Sequence, residues 1–190
     1  MIIETPRLRL VPLTLPYVTS TPDDRTTLAR ECGAEVPPSW PPELWDQDAQ
    51  DWCRRILETD PSTDWIPRVM VLREPHPLAC GAIGFGPPDA DGRVIVGYGV
   101  LPEFRRRGYA SEALGGLVTW VFEDPRVRVI AGDTYPHLIA SIRTMERNGL
   151  QYAGKGQEEG TIRYELRPSS AASRHLLPQA GEGQPGPSPA

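Results

Sequence analysis

The chain has 190 residues, about the length of one domain, and its 25 acidic and 20 basic side chains give a net charge of −5. Apolar residues make up 39% of the sequence, enough for a sizeable core, but no apolar run approaches the roughly 18 residues of a membrane-spanning helix. Because the balance is acidic and the first ten residues lack the apolar centre of a secretory signal, we expect a cytoplasmic protein with neither nucleic acid nor membrane as partner.

The first half of the chain is predicted to hold several strands and one clear helix. Apolar and polar residues alternate over Arg7–Leu13, which predicts a first strand. Prolines interrupt residues 14–46, where we expect only a short helix near Asp24–Glu31. A longer helix is predicted at Asp46–Glu58, where apolar residues recur at helical spacing and an aspartate can cap the first turn. The next strands, joined by proline-containing turns, are predicted at Ile66–Arg73, Leu78–Phe85 and Arg93–Leu101.

In the second half, helices and strands alternate. Residues Arg107–Phe122 place apolar side chains on one helical face. Gly115 and Gly116 inside this helix each cost about 1 kcal/mol relative to Ala, so we expect close packing to compensate. The order of elements indicates an α+β fold (mixed α/β) with a right-handed strand–helix–strand crossover in its middle. The other elements are a strand at Val127–Asp133, a helix at Leu138–Asn148 ended by Gly149, and short strands at Leu150–Ala153 and Thr161–Leu166.

The composition changes near the end of the chain. The last 23 residues, from Pro168, hold five Pro, three Gly, four Ser and four Ala without a periodic apolar pattern. Such a segment cannot bury enough apolar surface to offset the entropy lost on ordering. We therefore expect one folded domain over residues 1–167 and a disordered tail over residues 168–190.

The cysteines and histidines indicate neither a disulfide framework nor a metal site. The three cysteines are odd in number and widely spaced, and the three histidines form no His-x-x-x-His pair. We therefore expect reduced thiols and no bound metal. The residues concerned are Cys32, Cys53, Cys80, His76, His137 and His175.

The segment most informative about function follows the strand that ends at Leu101. A short loop with three consecutive arginines leads directly into the amphipathic helix, whose first amides lack internal acceptors and whose dipole is positive at this end. Gly108 lets another group approach the backbone closely. These features predict a site for a pyrophosphate or another multiply charged anion. A solvated arginine-rich turn and a simple phosphate-binding fold unrelated to acyl transfer remain alternatives.

Glu4–Leu10, Gly97–Ala113 and Ala140–Leu150 are three segments whose order and spacing resemble those of the GNAT N-acetyltransferases, and within them the ribosomal-protein acetyltransferase-like (RimJ/RimL) branch. Glu4–Leu10 resembles the first strand of that branch. Gly97–Ala113 is similar to its acetyl-CoA signature, and Ala140–Leu150 is similar to its later helix-and-turn motif. The resemblance covers most of residues 4–167 and is weak over residues 14–65.

The resemblance implies a GNAT-like single domain with a central, mostly antiparallel, splayed sheet of about seven strands flanked by helices. It also implies an N-acetyltransferase that takes acetyl-CoA as donor and needs no metal. Amides of the loop would hold the CoA pyrophosphate, the arginine side chains would contact the other phosphates, and the strand edge would pair with the pantetheine arm. The residues implied in binding acetyl-CoA are Val100, Leu101, Arg105, Arg106, Arg107, Gly108, Tyr109 and Ala110.

In the implied reaction, a primary amine attacks the acetyl carbonyl directly and the CoA thiolate leaves. The chain departs from the family pattern at three positions. Ile95 lies where a basic Glu is common, Leu138 replaces an Asn, and Met145 replaces a Tyr that acts as acid in many members. Ser141 is then the candidate catalytic acid, or equally a small helix residue that hydrogen-bonds to a backbone carbonyl.

Several further assignments stay open. Asp133 and Glu103 are candidate bases, but both are better explained as solvated loop carboxylates, and we assign neither. Trp40 and Trp45 either line a substrate pocket or belong to a loop packed on the domain, whereas Trp52 is expected in the core.

The sequence does not identify the acceptor amine. It can be a protein N-terminus, a lysine or a small-molecule amine. Since the usual Glu and Tyr are absent, a non-catalytic CoA-binding module that acts as a sensor or partner-binding domain is the alternative function. Exposed sheet edges could support a homodimer.

Overall fold

The computed structural model describes residues 1–43, 45–73 and 75–168, which contain eight strands, five α-helices and one 3₁₀ turn. Nearly all of the predicted tail, residues 168–190, lies outside the described residues. The strands are β1 (Ile3–Glu4), β2 (Leu8–Pro12), β3 (Arg68–Leu72), β4 (Leu78–Phe85), β5 (Arg93–Val100), β6 (Val129–Thr134), β7 (Gln151–Lys155) and β8 (Ile162–Leu166). The helices are α1 (Leu15–Val18), α2 (Arg25–Cys32), α3 (Gln47–Thr59), α4 (Tyr109–Val121) and α5 (Ile139–Arg147), and the 3₁₀ turn is Pro102–Phe104.

All eight strands belong to one sheet in the order β1-β2-β3-β4-β5-β6-β8-β7. Every neighbouring pair is antiparallel except β5 and β6, which the crossover through α4 makes parallel. The sheet has one strand more than predicted, because the two-residue β1 pairs with Arg9 and Leu10 of β2. Two residues are too few to show a period of two, so this strand could not be recognised from the pattern.

The sheet opens between β5 and β6. The two strands are paired only over Arg93–Ile95 of β5 and Val129–Ala131 of β6. Beyond Ile95, β5 stays paired with β4 as far as Val100, and β6 stays paired with β8 as far as Thr134. The strands therefore diverge and leave a cleft, which confirms the expected splayed sheet.

Side-chain caps explain where the first long helices begin. At the start of α3, the Asp46 carboxylate accepts a hydrogen bond from the Ala49 amide at 2.9 Å. At the start of α2, the Asp24 carboxylate accepts one from the Thr27 amide at 3.0 Å. The short helix α1 was not predicted, because Pro16 argues against a helix. Pro16 lies in the first turn of α1, where its missing N–H breaks no hydrogen bond.

Helix α4 packs against the sheet face built by β1, β2, β4 and β5. A Cβ added to Gly116 would lie 2.7 Å from Cγ2 of Thr5, and one added to Gly115 would lie 2.9 Å from Oδ1 of Asn148. The helix thus approaches the N-terminal strands and α5 more closely than any side chain would permit. Close packing of this kind compensates for the low helix propensity of the two glycines.

The two faces of the sheet carry different helices around β5. Because side chains alternate along a strand, Ile95 points to the face where α3 lies, whereas the Tyr98 hydroxyl contacts Ser141 of α5 on the other face. None of the helices in the described part of the chain is long and apolar enough to span a membrane.

Candidate active site

The predicted anion loop lies between the buried end of β5 and the start of α4. The 3₁₀ turn at Pro102–Phe104 anchors it, since the Phe104 side chain is buried. Arg106 has φ 63° and Gly108 has φ 82°, so two residues of the loop adopt the left-handed backbone conformation. Gly108 takes this conformation without the steric cost that a Cβ would add.

This backbone leaves a row of free amides. The first hydrogen bond of α4 runs from the Glu112 amide to the Gly108 carbonyl at 3.0 Å. Within the described residues, none of the amides of residues 106–111 donates to a protein acceptor. Successive amides around left-handed residues form a concave donor surface, and the dipole of the 13-residue helix α4 makes this end positive. The loop is thus built to accept an anion with several oxygens.

The three loop arginines have different surroundings. Nε of Arg105 donates to the Val100 carbonyl at 2.9 Å, and its Nη2 pairs with Glu43 at 2.9 Å. Arg105 therefore ties the loop to the last residue of β5 and to Glu43. Arg106 and Arg107 have no carboxylate partner among the residues that the structure describes, and both are exposed. The Arg107 guanidinium lies 5.8 Å from the centre of the Phe104 ring. Two unpaired cations thus lie beside the row of amides.

Glu112 has a larger role than stabilising its own helix. Its Oε1 accepts hydrogen bonds from Thr5 Oγ1 at 2.6 Å and from the Arg7 amide at 2.7 Å, and its Oε2 accepts from Arg7 Nε at 2.6 Å. Burial alone would raise the pKa of Glu112, but the hydrogen bonds from Thr5 and Arg7 outweigh burial and lower it. Glu112 is therefore an ionised bridge between α4 and the N-terminal strands.

The cleft exposes backbone groups of β5. The Leu101 amide donates to the Cys80 carbonyl at 2.9 Å, and the Leu101 carbonyl accepts from the Phe104 amide at 2.9 Å. Since hydrogen-bonded pairs alternate along an antiparallel ladder, Tyr98 and Val100 turn their backbone groups away from β4 and towards the cleft. Of the two strand-edge residues predicted, Val100 thus has its amide directed into the cleft, whereas both backbone groups of Leu101 are already engaged.

Ser141 lies on α5 beside this cleft. The Tyr98 hydroxyl donates to the Ser141 carbonyl at 3.1 Å and lies 3.3 Å from Ser141 Oγ. Burial raises the pKa of Tyr98, so its hydroxyl stays protonated at neutral pH. Met145, at the position of the common acid, is buried, and Ile95, at the position of the common base, is 41% exposed on the other face. β5 and α5 therefore bring the Tyr98 hydroxyl close to Ser141 and Thr144, and the Thr144 hydroxyl donates to the Ala140 carbonyl.

The two candidate bases are both held as stable carboxylates. Asp133 makes two hydrogen bonds of 2.7 Å with Arg163, and these lower its pKa. Glu103 accepts a hydrogen bond from Ser39, which lowers its pKa. A carboxylate stabilised in its charged form is a weak proton acceptor, so neither residue is suited to act as general base.

A cavity of about 600 Å³ lies on the α3 side of β4 and β5. Its walls are mostly apolar, with Trp45, Trp52 and Ile56 on one side and the strand residues Ile95 and Gly97 on the other. Its lining residues also include Asp89 and Arg93, and the hydrogen bond from the Arg93 amide lowers the pKa of Asp89. The prediction that Trp52 is in the core was wrong, because its ring is 38% exposed and lines this cavity.

A buried cluster of hydrogen bonds supports one wall of the cavity. The indole N–H groups of Trp40 and Trp45 donate to the Tyr17 hydroxyl at 2.9 and 3.1 Å, and that hydroxyl donates to the Pro22 carbonyl at 2.7 Å. Burial raises the pKa of Tyr17 to about 12. Sequence reasoning could not find this cluster, because its members are separated by proline-rich segments without periodicity.

Comparison with known proteins decides the family. The sequence model described as "Acetyltransferase (GNAT) domain" matches residues 8–151, about three quarters of the chain. The chain belongs to the GNAT acetyltransferase family. Membership makes it an acetyltransferase and agrees with the splayed sheet, the basic loop and the long helix after it.

Individual relatives are distant. The chain is 26% identical over 159 residues to the "Uncharacterized N-acetyltransferase YjdG" of Bacillus subtilis, covering 83% of this chain and 94% of that protein. Among solved structures, the ribosomal-protein-S5-alanine acetyltransferase of Vibrio fischeri has a TM-score of 0.64 at 14% identity, over 90% of this chain and 98% of the other. RimL, a ribosomal L7/L12 alpha-N-protein acetyltransferase solved with coenzyme A, has a TM-score of 0.58 at 16% identity, over 88% and 98%. At these identities the structural matches show the GNAT fold.

Proposed function

We propose that this GNAT protein transfers the acetyl group of acetyl-CoA to the α-amine of a peptide or of a small molecule. The observation that carries the proposal is the row of free amides at residues 106–111, which adjoins a cleft lined by unpaired strand backbone. A diphosphate needs several donors around one point, and a pantetheine chain needs amide partners along a line. The two features lie end to end on β5 and α4.

The residues present fit such a donor. Amides of the loop from Arg106 to Ala110 would hold the diphosphate, and the unpaired guanidinium groups of Arg106 and Arg107 would contact further phosphate oxygens. The Val100 and Tyr98 backbone would pair with the pantetheine amides. Arg105 and Tyr109 would shape the loop around the ligand, since Arg105 is tied to Val100 and Glu43.

Acetyl-CoA supplies the acetyl group as a thioester that an amine can attack. A backbone amide that faces the cleft would donate to the carbonyl oxygen and stabilise the charge that develops there. The Ser141 hydroxyl would give its proton to the leaving sulfur, and the nearby Tyr98 hydroxyl would orient Ser141 through its hydrogen bonds. The new C–N bond forms as the C–S bond breaks, the nitrogen loses a proton to solvent, and Ser141 regains from solvent the proton that it gave to sulfur.

The choice of an α-amine follows from the lack of a strong base. Asp89, Asp133 and Glu103 all have lowered pKa values, and Asp89 is the carboxylate that the described residues place in the wall of the cavity. The substrate must then lose its proton largely unaided. An α-amine, with a pKa of roughly 7.7–8.0, is neutral at pH 7.5 some two to three orders of magnitude more often than a lysine amine near 10.4.

The apolar cavity is the proposed entry for the acceptor. It lies on the sheet face opposite Ser141 and reaches β5 at Gly97 and Gly99, so an acceptor bound there would meet the donor where β5 and β6 diverge. The names of two structural neighbours describe acetylation of a ribosomal protein at an alanine or at an α-amine. They support a peptide N-terminus with a small or apolar first residue as acceptor.

The test is an acceptor screen with acetyl-CoA, followed by mass shift. One peptide carries a free N-terminus and no lysine, and its partner has the same sequence with a blocked N-terminus and one lysine. We expect modification of the first at a rate at least about a hundredfold higher at pH 7.5, because of the difference in neutral fraction. Preferential modification of the lysine peptide would refute the α-amine assignment.

Binding without turnover would instead favour a CoA-binding module. In either case acetyl-CoA at 100 times its Kd should stabilise the fold by about 2.7 kcal/mol. No stabilisation at millimolar acetyl-CoA would overturn the donor assignment.

A further inference from the structure

The side chain of Arg7, which lies between β1 and β2, reaches the anion loop from the N-terminal strands. Its Nε donates to Glu112 Oε2 at 2.6 Å and its Nη1 donates to the Arg107 carbonyl at 3.1 Å. The guanidinium also lies 4.8 Å from the centre of the Tyr109 ring. One side chain thus contacts the loop at Arg107 and helix α4 at Tyr109 and Glu112.

The bond to Arg107 has a direct effect on the row of amides. A trans peptide is planar, and its C=O and N–H point in opposite directions. The Arg107 carbonyl and the Gly108 amide belong to the same peptide. When Arg7 holds that carbonyl on its own side, the Gly108 amide must point to the other side, where the amides of the loop and of the first turn of α4 are free.

Glu112 fixes Arg7 in this position. Its carboxylate accepts from both the main chain and the side chain of Arg7, and it accepts from Thr5 as well. The Glu112 side chain is only 14% exposed, whereas that of Arg7 is 50% exposed. A charged pair with this geometry is short and charge-assisted, so it restricts the guanidinium far more than a solvated surface pair would.

We propose that Arg7 and Glu112 are positioning residues that hold the diphosphate loop in its binding conformation. This inference rests on the proposed function, in which the loop binds the CoA diphosphate. Arg7 acts through the Arg107–Gly108 peptide and is not a catalytic residue. It makes the geometry of the loop depend on the pairing of β1 and β2, which lie a hundred residues earlier in the chain.

The decisive measurement compares two acetyl donors in the variant Arg7→Met. S-acetylpantetheine carries the same thioester as acetyl-CoA but no diphosphate. We expect KM for acetyl-CoA to rise about tenfold to a hundredfold, the effect of losing a charge-assisted hydrogen bond that orders a binding site. The kinetic constants with S-acetylpantetheine should stay within about twofold of the parent, because no phosphate is bound.

Matched variants separate positioning from charge and from stability. Arg126→Met removes an exposed arginine that is paired with Asp124 near the other end of α4, and it should leave both donors unaffected. Arg7→Lys keeps the charge and should recover part of the acetyl-CoA affinity. Glu112→Gln removes the anchor of Arg7 and should reproduce the selective loss.

The outcomes distinguish this inference from the proposed function. If the parent protein shows no saturable binding of acetyl-CoA, the proposed function itself fails. If the parent binds acetyl-CoA and Arg7→Met binds it equally well, only the positioning role is overturned. An equal loss with both donors would also overturn it, since a general loss of folded enzyme affects the two donors alike.

Discussion

Ser141 and Tyr98 come from elements that are far apart in the chain and meet at the point where β5 and β6 diverge. The Tyr98 hydroxyl donates its proton to the Ser141 carbonyl at 3.1 Å, so that proton is engaged, and Ser141 is the donor in the 3.3 Å contact between the two hydroxyls. A phenol whose pKa is raised by burial stays neutral and orients its neighbour without taking its proton. This arrangement favours Ser141 over Tyr98 as the group that protonates the leaving thiolate.

We predict that Ser141→Ala lowers kcat by about tenfold to a hundredfold, a modest part of the usual contribution of general acid catalysis. KM for acetyl-CoA should change little, because the diphosphate and pantetheine contacts lie elsewhere. Steady-state kinetics with a fixed peptide acceptor provides the measurement. Thr119→Ala, which removes an exposed hydroxyl that donates to the Gly115 carbonyl within α4, is the control. An unaltered kcat in Ser141→Ala would remove Ser141 from the mechanism.

At the level of single residues, the sequence locates the loop but not the residues that support it. Arg105, Arg106, Arg107 and Gly108 are consecutive, so a local motif is enough to predict a role for them. Arg7 could not be assigned in the same way, because its partners Glu112 and Arg107 lie a hundred residues away and only the packing of α4 on β1 and β2 joins them.

Among the elements, the connection from β5 to α4 requires a left-handed backbone conformation at its last residue. Gly108 has φ 82° and precedes the first residue of α4. We predict that Gly108→Val greatly weakens acetyl-CoA binding, because a branched residue disfavours the left-handed region and shifts the neighbouring amides. The direct loss of stability should be only about 1–2 kcal/mol. Calorimetric titration and chemical unfolding measure the two effects separately.

The matched control is Gly33→Val. Gly33 ends α2 with φ 62°, and a Cβ there would meet no atom within 4 Å, so this variant has similar backbone strain away from the loop. It should lose a similar amount of stability and keep its full affinity for acetyl-CoA. Equal affinities in the two variants would show that the loop does not bind the donor.

Elements with regular patterns were predictable, and elements formed by long-range packing were not. Helix α3 begins after Asp46 as the cap and the helical spacing indicate. The helix α1 and the strand β1 have four and two residues, and neither shows a period. The exposure of Trp52 depends on how far α3 stands from β4 and β5, and a helical pattern alone does not define that distance.

At the scale of the whole molecule, an ion pair between neighbouring strands contributes to the stability of the second half. Asp133 of β6 and Arg163 of β8 are 17% and 16% exposed, and two hydrogen bonds of 2.7 Å join them. Because these hydrogen bonds lower the pKa of Asp133, the carboxylate stabilises the folded state fully above its unfolded pKa of roughly 3.9. That contribution is lost as pH falls through the lower, folded-state pKa.

We predict that Asp133→Asn is less stable than the parent at pH 7 by about 1–3 kcal/mol, the range for a lost hydrogen bond to a charged group. The difference should shrink as the pH falls below about 4, where the parent carboxylate also becomes neutral. Urea unfolding from pH 3 to pH 8 measures it. In Asp124→Asn, whose partner Arg126 is 65% exposed, the change should stay under about 1 kcal/mol. A pH-independent difference in Asp133→Asn would contradict the account.

The sequence predicts the overall architecture better than it predicts the cavity wall. The order of strands and helices was sufficient to predict a mixed α/β fold with a crossover. The division into a domain at residues 1–167 and a tail remains a prediction. The wall of the apolar cavity was not predictable, because Pro42 and Trp45 lie in a proline-rich segment without periodicity and the distance of α3 from the sheet follows from packing.

The hydrogen-bonded cluster of Tyr17, Trp40 and Trp45 affects how rigid that wall is when an acceptor binds. Both indole groups and the phenol already have their partners, so Trp45, the cluster member that lines the cavity, is held in place before any acceptor binds. Binding of an amine in the cavity therefore causes little loss of conformational entropy in this part of the wall. Selection among acceptors then depends on how well their shape fits a rigid cavity wall. Bulky acceptors that a flexible pocket would accommodate are excluded.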